Sequence, residues 1–448
     1  MTDPDFIRRT LEDLKARDLY RHLVVVGSPA GPRVQVGGRT VLQFASNNYL
    51  GLAGDPRVRE AACRAVEKWG WGAGASPLLA GHTDAHAALE ADLATFKRTE
   101  AALVFPSGYM TNLGILSALV GPGDTVVMDR ENHASLYDAV RLSGARLERY
   151  KHADAAAGDL LAASLGKAER GRTESDRAKD KSLARRVSDL PRDEPAGRML
   201  LATDTVFSMG GDLAPLAALA DACRRAGVML VLDEAHALGL LGPTGAGLAE
   251  QISFEPAAGA ADGSPVASAP QLRYSPPATT VAGSEIIASV GTLSKALGGI
   301  GGFVAASREV CDLIVNRARP FIYSTALPAA ACEAAREALR ISREEPERRR
   351  RVLALADRLR ATLRDKGFDT GRSATPIIPI MIGEPEAALA TAAALLAHGI
   401  FCPAIRPPTV APGTSRLRVS LTADHTEEDV DRLVAALVEI RGHAARKL

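Results

Sequence analysis

The chain has 448 residues, 46% hydrophobic and 24% charged. That is more apolar material than one core takes up, since single cores rarely grow beyond about 250–300 residues, and the charged fraction is ordinary for a globular protein. With 54 Lys plus Arg against 53 Asp plus Glu the net charge is +1, which gives no electrostatic reason to expect a nucleic-acid or membrane-surface partner. A small molecule is the expected partner. The five cysteines (Cys63, Cys223, Cys311, Cys332, Cys402) are far apart and form no Cys-x-x-Cys pair, neither a disulfide framework nor a zinc-ligand pattern. The opening Met-Thr-Asp-Pro-Asp-Phe lacks a basic stretch followed by an apolar one. No apolar run approaches the roughly 20 residues of a membrane span, so a soluble, cytoplasmic protein is expected.

Residues 1–45 read as an N-terminal segment, a helix followed by extended chain. Residues 46–325 read as a large domain in which short β-rich runs alternate with helices. The runs Ala102–Phe105, Thr125–Met128, Met199–Ala202 and Val228–Leu232 are too uniformly apolar for half-exposed strands and predict a parallel sheet buried on both faces. A helix is predicted over Pro215–Ala226, closed by Gly227. Residues 326–448 read as a smaller α+β domain. There Val352, Leu355, Ala356, Leu359 and Leu363 form a helical stripe ended by Gly367. A strand over Ile377–Ile382, an Ala/Leu-rich helix before Gly399 and a strand pair, Phe401–Ile405 and Leu417–Leu421, follow. Thr426 with Asp429 forms a capping box for a last helix. Two stretches, near 155–198 (charged) and 251–285 (rich in Ala, Pro, Gly and Ser), fit neither domain and read as solvated insertions.

Gly291-Thr-Leu-Ser-Lys295-Ala-Leu-Gly-Gly places a lysine among small residues after the apolar run Ile286–Val290. Alone it is as readily a lysine in a surface turn. Val231-Leu-Asp233-Glu-Ala-His236 changes the weighing, because Asp233 follows a buried strand, where open α/β sheets build ligand crevices. A buried carboxylate is costly unless it meets a cation, and a protonated pyridine nitrogen is such a cation. A Schiff-base lysine with an aspartate on the ring nitrogen is what pyridoxal phosphate chemistry requires. Asp-Glu-Ala-His also occurs in helicases, but no phosphate-cradling Gly-x-x-x-x-Gly-Lys loop precedes it. The glycines Gly298–Gly302 open no dinucleotide-binding unit.

Phe105-Pro-Ser107-Gly108-Tyr109 joins a strand to a helix, so its amides are suited to an anion, or it is an ordinary turn. His133 is either a capped loop histidine or lies flat on a cofactor ring. Arg416 and Arg418 share one face of a strand. They are either two exposed strand arginines or include one that holds an amino-acid carboxylate, with Arg418 the better placed.

Together the chain resembles the α-oxoamine synthase family of pyridoxal phosphate enzymes. The resemblance is carried by Phe44-Ala-Ser-Asn47-Asn-Tyr-Leu-Gly-Leu, Gly72-Ala-Gly-Ala-Ser, His86-Ala-Ala-Leu-Glu90, Ser107-Gly-Tyr, Val206-Phe-Ser208-Met, Asp233-Glu-Ala-His236, Gly291-Thr-Leu-Ser-Lys295, Tyr323-Ser-Thr325 and Ala404-Ile-Arg406-Pro-Pro-Thr-Val. It implies a fold-type-I α/β transferase with a mostly parallel seven-stranded sheet, and a homodimer sharing its active sites. By motif, Lys295 is the Schiff-base lysine and acid/base, and Asp233 holds the ring nitrogen protonated. His236 and Ser208 bond the phenolic oxygen, and His133 stacks on the ring. Gly108, Tyr109 and Thr292 grip the phosphate, and Thr325 reaches the partner's phosphate. Asn47 and Arg418 hold the alanine carboxylate, while Arg21 and Arg406 serve the acyl thioester or its far carboxylate. The last string, followed by Arg-Leu-Arg, is similar to the biotin branch, which implies condensation of L-alanine with a pimeloyl thioester. Siblings using glycine or serine are the alternative, and an aminotransferase or a non-catalytic relative are further ones. The chain departs from the family pattern at Gly210, usually acidic, at Asp204, often glutamate, and at Pro77.

Overall fold

The structure is a computed structural model that describes residues 5–154, 197–251 and 286–445. The expected insertions fall almost wholly on residues 155–196 and 252–285, outside the described residues. Along the chain the described strands are β1 (Arg33–Val36), β2 (Arg39–Gln43), β3 (Ala101–Phe105), β4 (Thr125–Asp129), β5 (Arg146–Tyr150), β6 (Met199–Asp204) and β7 (Met229–Asp233). They continue as β8 (Ile286–Thr292), β9 (Gly302–Ala306), β10 (Ile377–Gly383), β11 (Ile400–Phe401), β12 (Ala404–Ile405) and β13 (Ser415–Ser420). The chain divides into two compact units, one of Met1–Asp55, Ser208–Asp212 and Glu347–Leu448, the other of Pro56–Phe207 and Leu213–Pro346.

The second unit is built on a seven-stranded sheet of order β3-β9-β8-β7-β6-β4-β5. Its strands are parallel except β9, which runs antiparallel to β3 and β8. Every residue of β4, β6 and β9 is buried, as a sheet covered on both faces requires. The helix Leu216–Ala226 covers the predicted span and ends at Gly227, whose φ of 62° gives the left-handed cap that favours glycine.

The first unit carries two three-stranded sheets, β1-β2-β11 and β10-β13-β12. The helical stripe is as predicted: Val352, Leu355, Ala356, Leu359 and Leu363 are all buried in the helix Pro346–Asp365. The capping box forms, with the Asp429 amide donating to Thr426 Oγ1 at 3.2 Å and the Thr426 amide to Asp429 Oδ2 at 3.0 Å.

Three expectations need correction. The N-terminal segment 1–45 is not a separate piece, because β2 pairs in parallel with β11, Leu42 opposite Ile400. The boundary expected at 325/326 lies instead at 346/347, since the alanine-rich helix Ala329–Glu344 packs on the helices Pro56–Trp69 and Asp84–Lys97 of the second unit. The strand expected over Phe401–Ile405 is two short strands in different sheets. Pro403, which has no N–H to give a ladder, separates them.

One buried ion pair fixes the turn after β7. Lys97 Nζ donates to the Glu234 carboxylate and, at 2.5 Å, to the Ala246 carbonyl. Glu234 also accepts from Ser289 Oγ at 2.8 Å and from the Ala249 amide at 2.9 Å. Both side chains of the pair are almost wholly buried. Lys97→Met leaves that carboxylate unpaired and should cost about 3–5 kcal/mol. Urea unfolding of the cofactor-free variant measures it, and a loss under about 1 kcal/mol would show that the pair does not anchor the turn.

Candidate active site

Five strands of the second unit, β3, β4, β6, β7 and β8, present their carboxyl ends at one edge of the sheet. Ligand crevices of open α/β sheets form at this edge. Ser107–Tyr109, Asn132–His133, Asp204, Asp233–His236 and Thr292–Lys295 all lie at these ends.

The turn after β3 enters the helix Gly108–Leu119, with Ser107 as its cap accepting from the Met110 amide. The amides of Gly108 and Tyr109 make no hydrogen bond among the described residues. They add to the partial positive charge of the helix start. Buried Thr292 borders them: a Cβ built on Gly108 would lie 3.5 Å from Thr292 Oγ1. Gly302 is required opposite, because a Cβ there would come within 2.6 Å of Gly108 Cα and 2.5 Å of Thr111 Oγ1.

Asp233 ends β7 and is 7% exposed. Its Oδ2 accepts from Asn112 Nδ2 at 2.6 Å and its Oδ1 from the Ala235 amide at 2.9 Å. The parallel register sets Asp204 directly beside it. Asp204 Oδ2 accepts the His133 amide at 2.9 Å, while its buried Oδ1 has no hydrogen-bond partner among the described residues. Burial, followed by the neighbouring Asp233, raises the Asp204 pKa well above an ordinary carboxyl, with Lys295 opposing. One of the two carboxyls is thus held towards neutrality.

His133 caps the helix Ala134–Ser143, its Nδ1 2.7 Å from Ser135 Oγ. The capped-histidine reading therefore describes its nitrogen, while the ring remains exposed. Desolvation by the surrounding chain lowers its pKa, against the pull of Asp233 and with the help of Lys295, so the ring is neutral at pH 7. Lys295 is half-buried in the turn after β8 and His236 is buried after β7. Tyr109 is exposed, its hydroxyl donating to Asp138, and Thr325 is exposed in the turn before the helix Ala329–Glu344.

The first unit holds the remaining candidates. Arg418, in the middle strand of its sheet, is 7% exposed and makes no ion pair among the described residues. It is not the exposed strand arginine that the alternation also allowed. Its Nε donates to the Ser208 carbonyl at 2.5 Å, Nη1 to Ser420 Oγ at 2.7 Å, and both Nη atoms to Asn47 Oδ1 at 3.1 Å. A buried guanidinium that makes no ion pair is chemically suited to a carboxylate. Arg21 and Arg406 also meet. Arg406 donates to the carbonyls of Asp18 and, at 3.3 Å, Tyr20, and Arg21 to Pro407 O and Thr409 Oγ1 at 3.4 Å. Burial and then Arg21 lower the Arg406 pKa.

The sequence reading missed Asn112 as the partner of Asp233 and Asp204 as its neighbour. The available signal for Asn112 was an amide on the buried face of an apolar helix, four residues after Gly108.

The donor set fits pyridoxal phosphate on this structure's own terms. Among the described residues it offers unpartnered amides at a helix start, a buried Asp233 carboxylate that makes no ion pair, and an exposed neutral imidazole face. A carboxyl with a raised folded pKa contributes stability that is full below its unfolded pKa, about 3.9, and is lost as pH rises. Asp204→Asn cannot ionise, so in the cofactor-free protein its stability relative to the parent should grow as the pH rises above about 4. Thermal melts across that range test this; a flat or falling difference would mean that Asp204 ionises like an ordinary carboxyl.

The aminotransferase class I and II family matches residues 39–437. An 8-amino-7-oxononanoate synthase of Anaeromyxobacter dehalogenans is 45% identical over 436 residues, 97% of this chain and 95% of the relative. That of Geobacter sulfurreducens is 46% identical over 432 residues, 96% of each. Among solved structures, a serine palmitoyltransferase from S. paucimobilis with a bound PLP–myriocin aldimine is similar, with a TM-score of 0.79 and 27% identity over 99% of this chain and 98% of that one. The Sphingomonas wittichii serine palmitoyltransferase matches at 0.79 and 26% over the whole of both chains. The fold is thus that of fold-type-I pyridoxal-phosphate enzymes, and the chain belongs to the aminotransferase class I and II family, in its α-oxoamine synthase branch.

Proposed function

We propose that the chain catalyses the pyridoxal-phosphate-dependent decarboxylative condensation of L-alanine with a pimeloyl thioester, giving 8-amino-7-oxononanoate, CO2 and the free thiol in biotin biosynthesis. The observation that carries this reading is the likeness, at 45–46% over nearly the whole chain, to relatives named for that product, joined to a donor set that suits the cofactor. When bound, the cofactor supplies an electron sink that stabilises negative charge at the substrate carbon.

The chain's own residues do the rest. The amides of Gly108 and Tyr109, with the Thr292 hydroxyl, hold the phosphate. Asp233, kept in place by Asn112 and the Ala235 amide, holds a proton on the ring nitrogen. Asp204, pushed towards neutrality, leaves Asp233 as the local negative charge for that proton. Neutral His133 would lie against the ring, and His236 and Ser208 would donate to the phenolic oxygen. Lys295 Nζ anchors the cofactor, takes the α-proton of the amino acid and returns a proton to the product carbon. Arg418 and Asn47 bind the amino-acid carboxylate, and the Arg21–Arg406 pair binds the far carboxylate or an anionic part of the thioester. A homodimer is part of this reading, with exposed Thr325 serving the partner's phosphate. The thioester is that of coenzyme A or of a carrier protein.

Visible titration of the purified protein with L-alanine, glycine and L-serine, followed by pimeloyl-CoA, tests the assignment. The strongest response to alanine, then thiol release with pimeloyl-CoA, is expected; preference for glycine or serine would move the chain to a sibling branch. Lys295→Ala should abolish turnover, a loss of at least about a thousandfold, while the protein still folds and binds the cofactor non-covalently. Retained turnover would remove Lys295 from the mechanism. Arg418→Met should raise KM for alanine at least about tenfold; an unchanged KM would place the carboxylate elsewhere.

A further inference from the structure

We infer that Thr375 is a positioning residue for the Ser208 hydroxyl, and through it for the phenolic oxygen of the cofactor. The inference rests on the role proposed above for Ser208. Ser208–Asp212 belongs to the first unit, whereas Phe207 before it and Leu213 after it belong to the second. An antiparallel bridge between Val206 and Leu213 closes the neck of this five-residue excursion. Where the Ser208 side chain points is therefore set by what grips the excursion.

Two carbonyls are gripped. Arg418 Nε holds that of Ser208 at 2.5 Å. Three residues on, the Gly211 carbonyl accepts both the Ala374 amide and Thr375 Oγ1, each at 2.9 Å. Gly211 has a φ of +67°, and a Cβ there would lie 2.0 Å from the Ile377 carbonyl oxygen. Backbone thus lies directly on backbone, at a contact only glycine permits. Arg372 adds a 3.5 Å ion pair to Asp212.

The clasp has rigid support. Thr375 is fully buried, and its own carbonyl accepts from Nη1 of buried Arg360 at 2.5 Å. Arg360 is neutralised on its other side by Asp357, and Ser373 Oγ donates to Ile377 O at 2.5 Å. The Ser208 hydroxyl itself has no hydrogen-bond partner among the described residues, although the residue is buried. The clasp therefore presents a donor that nothing in its own unit uses. Thr375 isolates this effect better than Arg418, whose replacement also removes the carboxylate's partner.

A donor to the phenolic oxygen stabilises its negative charge and lowers the pH at which the visible band of the lysine-bound cofactor changes. Spectral pH titration of the holoenzyme reads this without turnover. Ser208→Ala calibrates the method by raising that midpoint. Thr375→Val, equal in volume but without the hydroxyl, should raise it by about half to one pH unit, the size of one weakened hydrogen bond. Thr375→Ser should restore the parent value. A normal midpoint in Thr375→Val beside a raised one in Ser208→Ala would overturn the inference and leave the Ser208 role standing. An unchanged midpoint in Ser208→Ala would overturn both. Melting of the cofactor-free variants reports folding separately. Should Thr375→Val not fold, Arg360→Lys loosens the same clasp from behind, and the same upward shift or its absence decides.

Discussion

A buried negative charge at the end of the central strand β7 is the constraint around which the second unit is organised. Asp233 sits where the hydrophobic sheet stops, with 7% of its surface exposed and two hydrogen bonds to hold it. Two neutral donors do not balance a carboxylate removed from water; a cation does. Its neighbour in register, Asp204, does not share the burden, because burial and Asp233 together press it towards neutrality. The arrangement therefore suits one proton-bearing partner, which the proposed function identifies as a pyridine nitrogen. The Lys97–Glu234 pair directly after it and the Asn112 amide give the carboxylate a fixed direction.

A second, separate electrostatic demand organises the first unit. Arg418 is buried in the middle strand with only neutral oxygens around it, those of Asn47, Ser208 and Ser420. The burial raises the Tyr49 phenol pKa nearby, with Arg418 pulling it back. Here the charge is positive, and the proposed function pairs it with a substrate carboxylate. Each unit thus holds a buried charged side chain, Asp233 in one and Arg418 in the other, that makes no ion pair among the described residues.

What was legible in the sequence follows from how local the physics is. Uniformly apolar runs announced β4, β6 and β7, and a charged residue directly after such a run, Asp233, announced itself because it contradicts its surroundings. Lys295 stood out as a cation among glycines only once Asp233 had been read beside it. Asn112 was not, since an asparagine in a helix looks neutral until the helix is laid against β7. Asp204 looked like a variant of a familiar position; its pull towards neutrality arises from burial at the end of β6 and from parallel register with Asp233, neither of which is local in sequence. Alternation along β13 placed Arg416 and Arg418 on one face but not which of them is enclosed, because that depends on Asn47 and Ser208, hundreds of residues away in sequence. The unit boundaries were missed because the helix Ala329–Glu344 offers small residues that suit many partners, and only packing chose the second unit.

The central claim is that Asp233 keeps the ring nitrogen of the bound cofactor protonated. Nitrogen NMR of the holoenzyme reconstituted with cofactor labelled at that nitrogen measures this directly. A protonated-pyridine shift at neutral pH that collapses in Asp233→Ala is the result expected from a buried carboxylate paired with a cation. An unprotonated nitrogen at neutral pH in the parent protein would contradict the account.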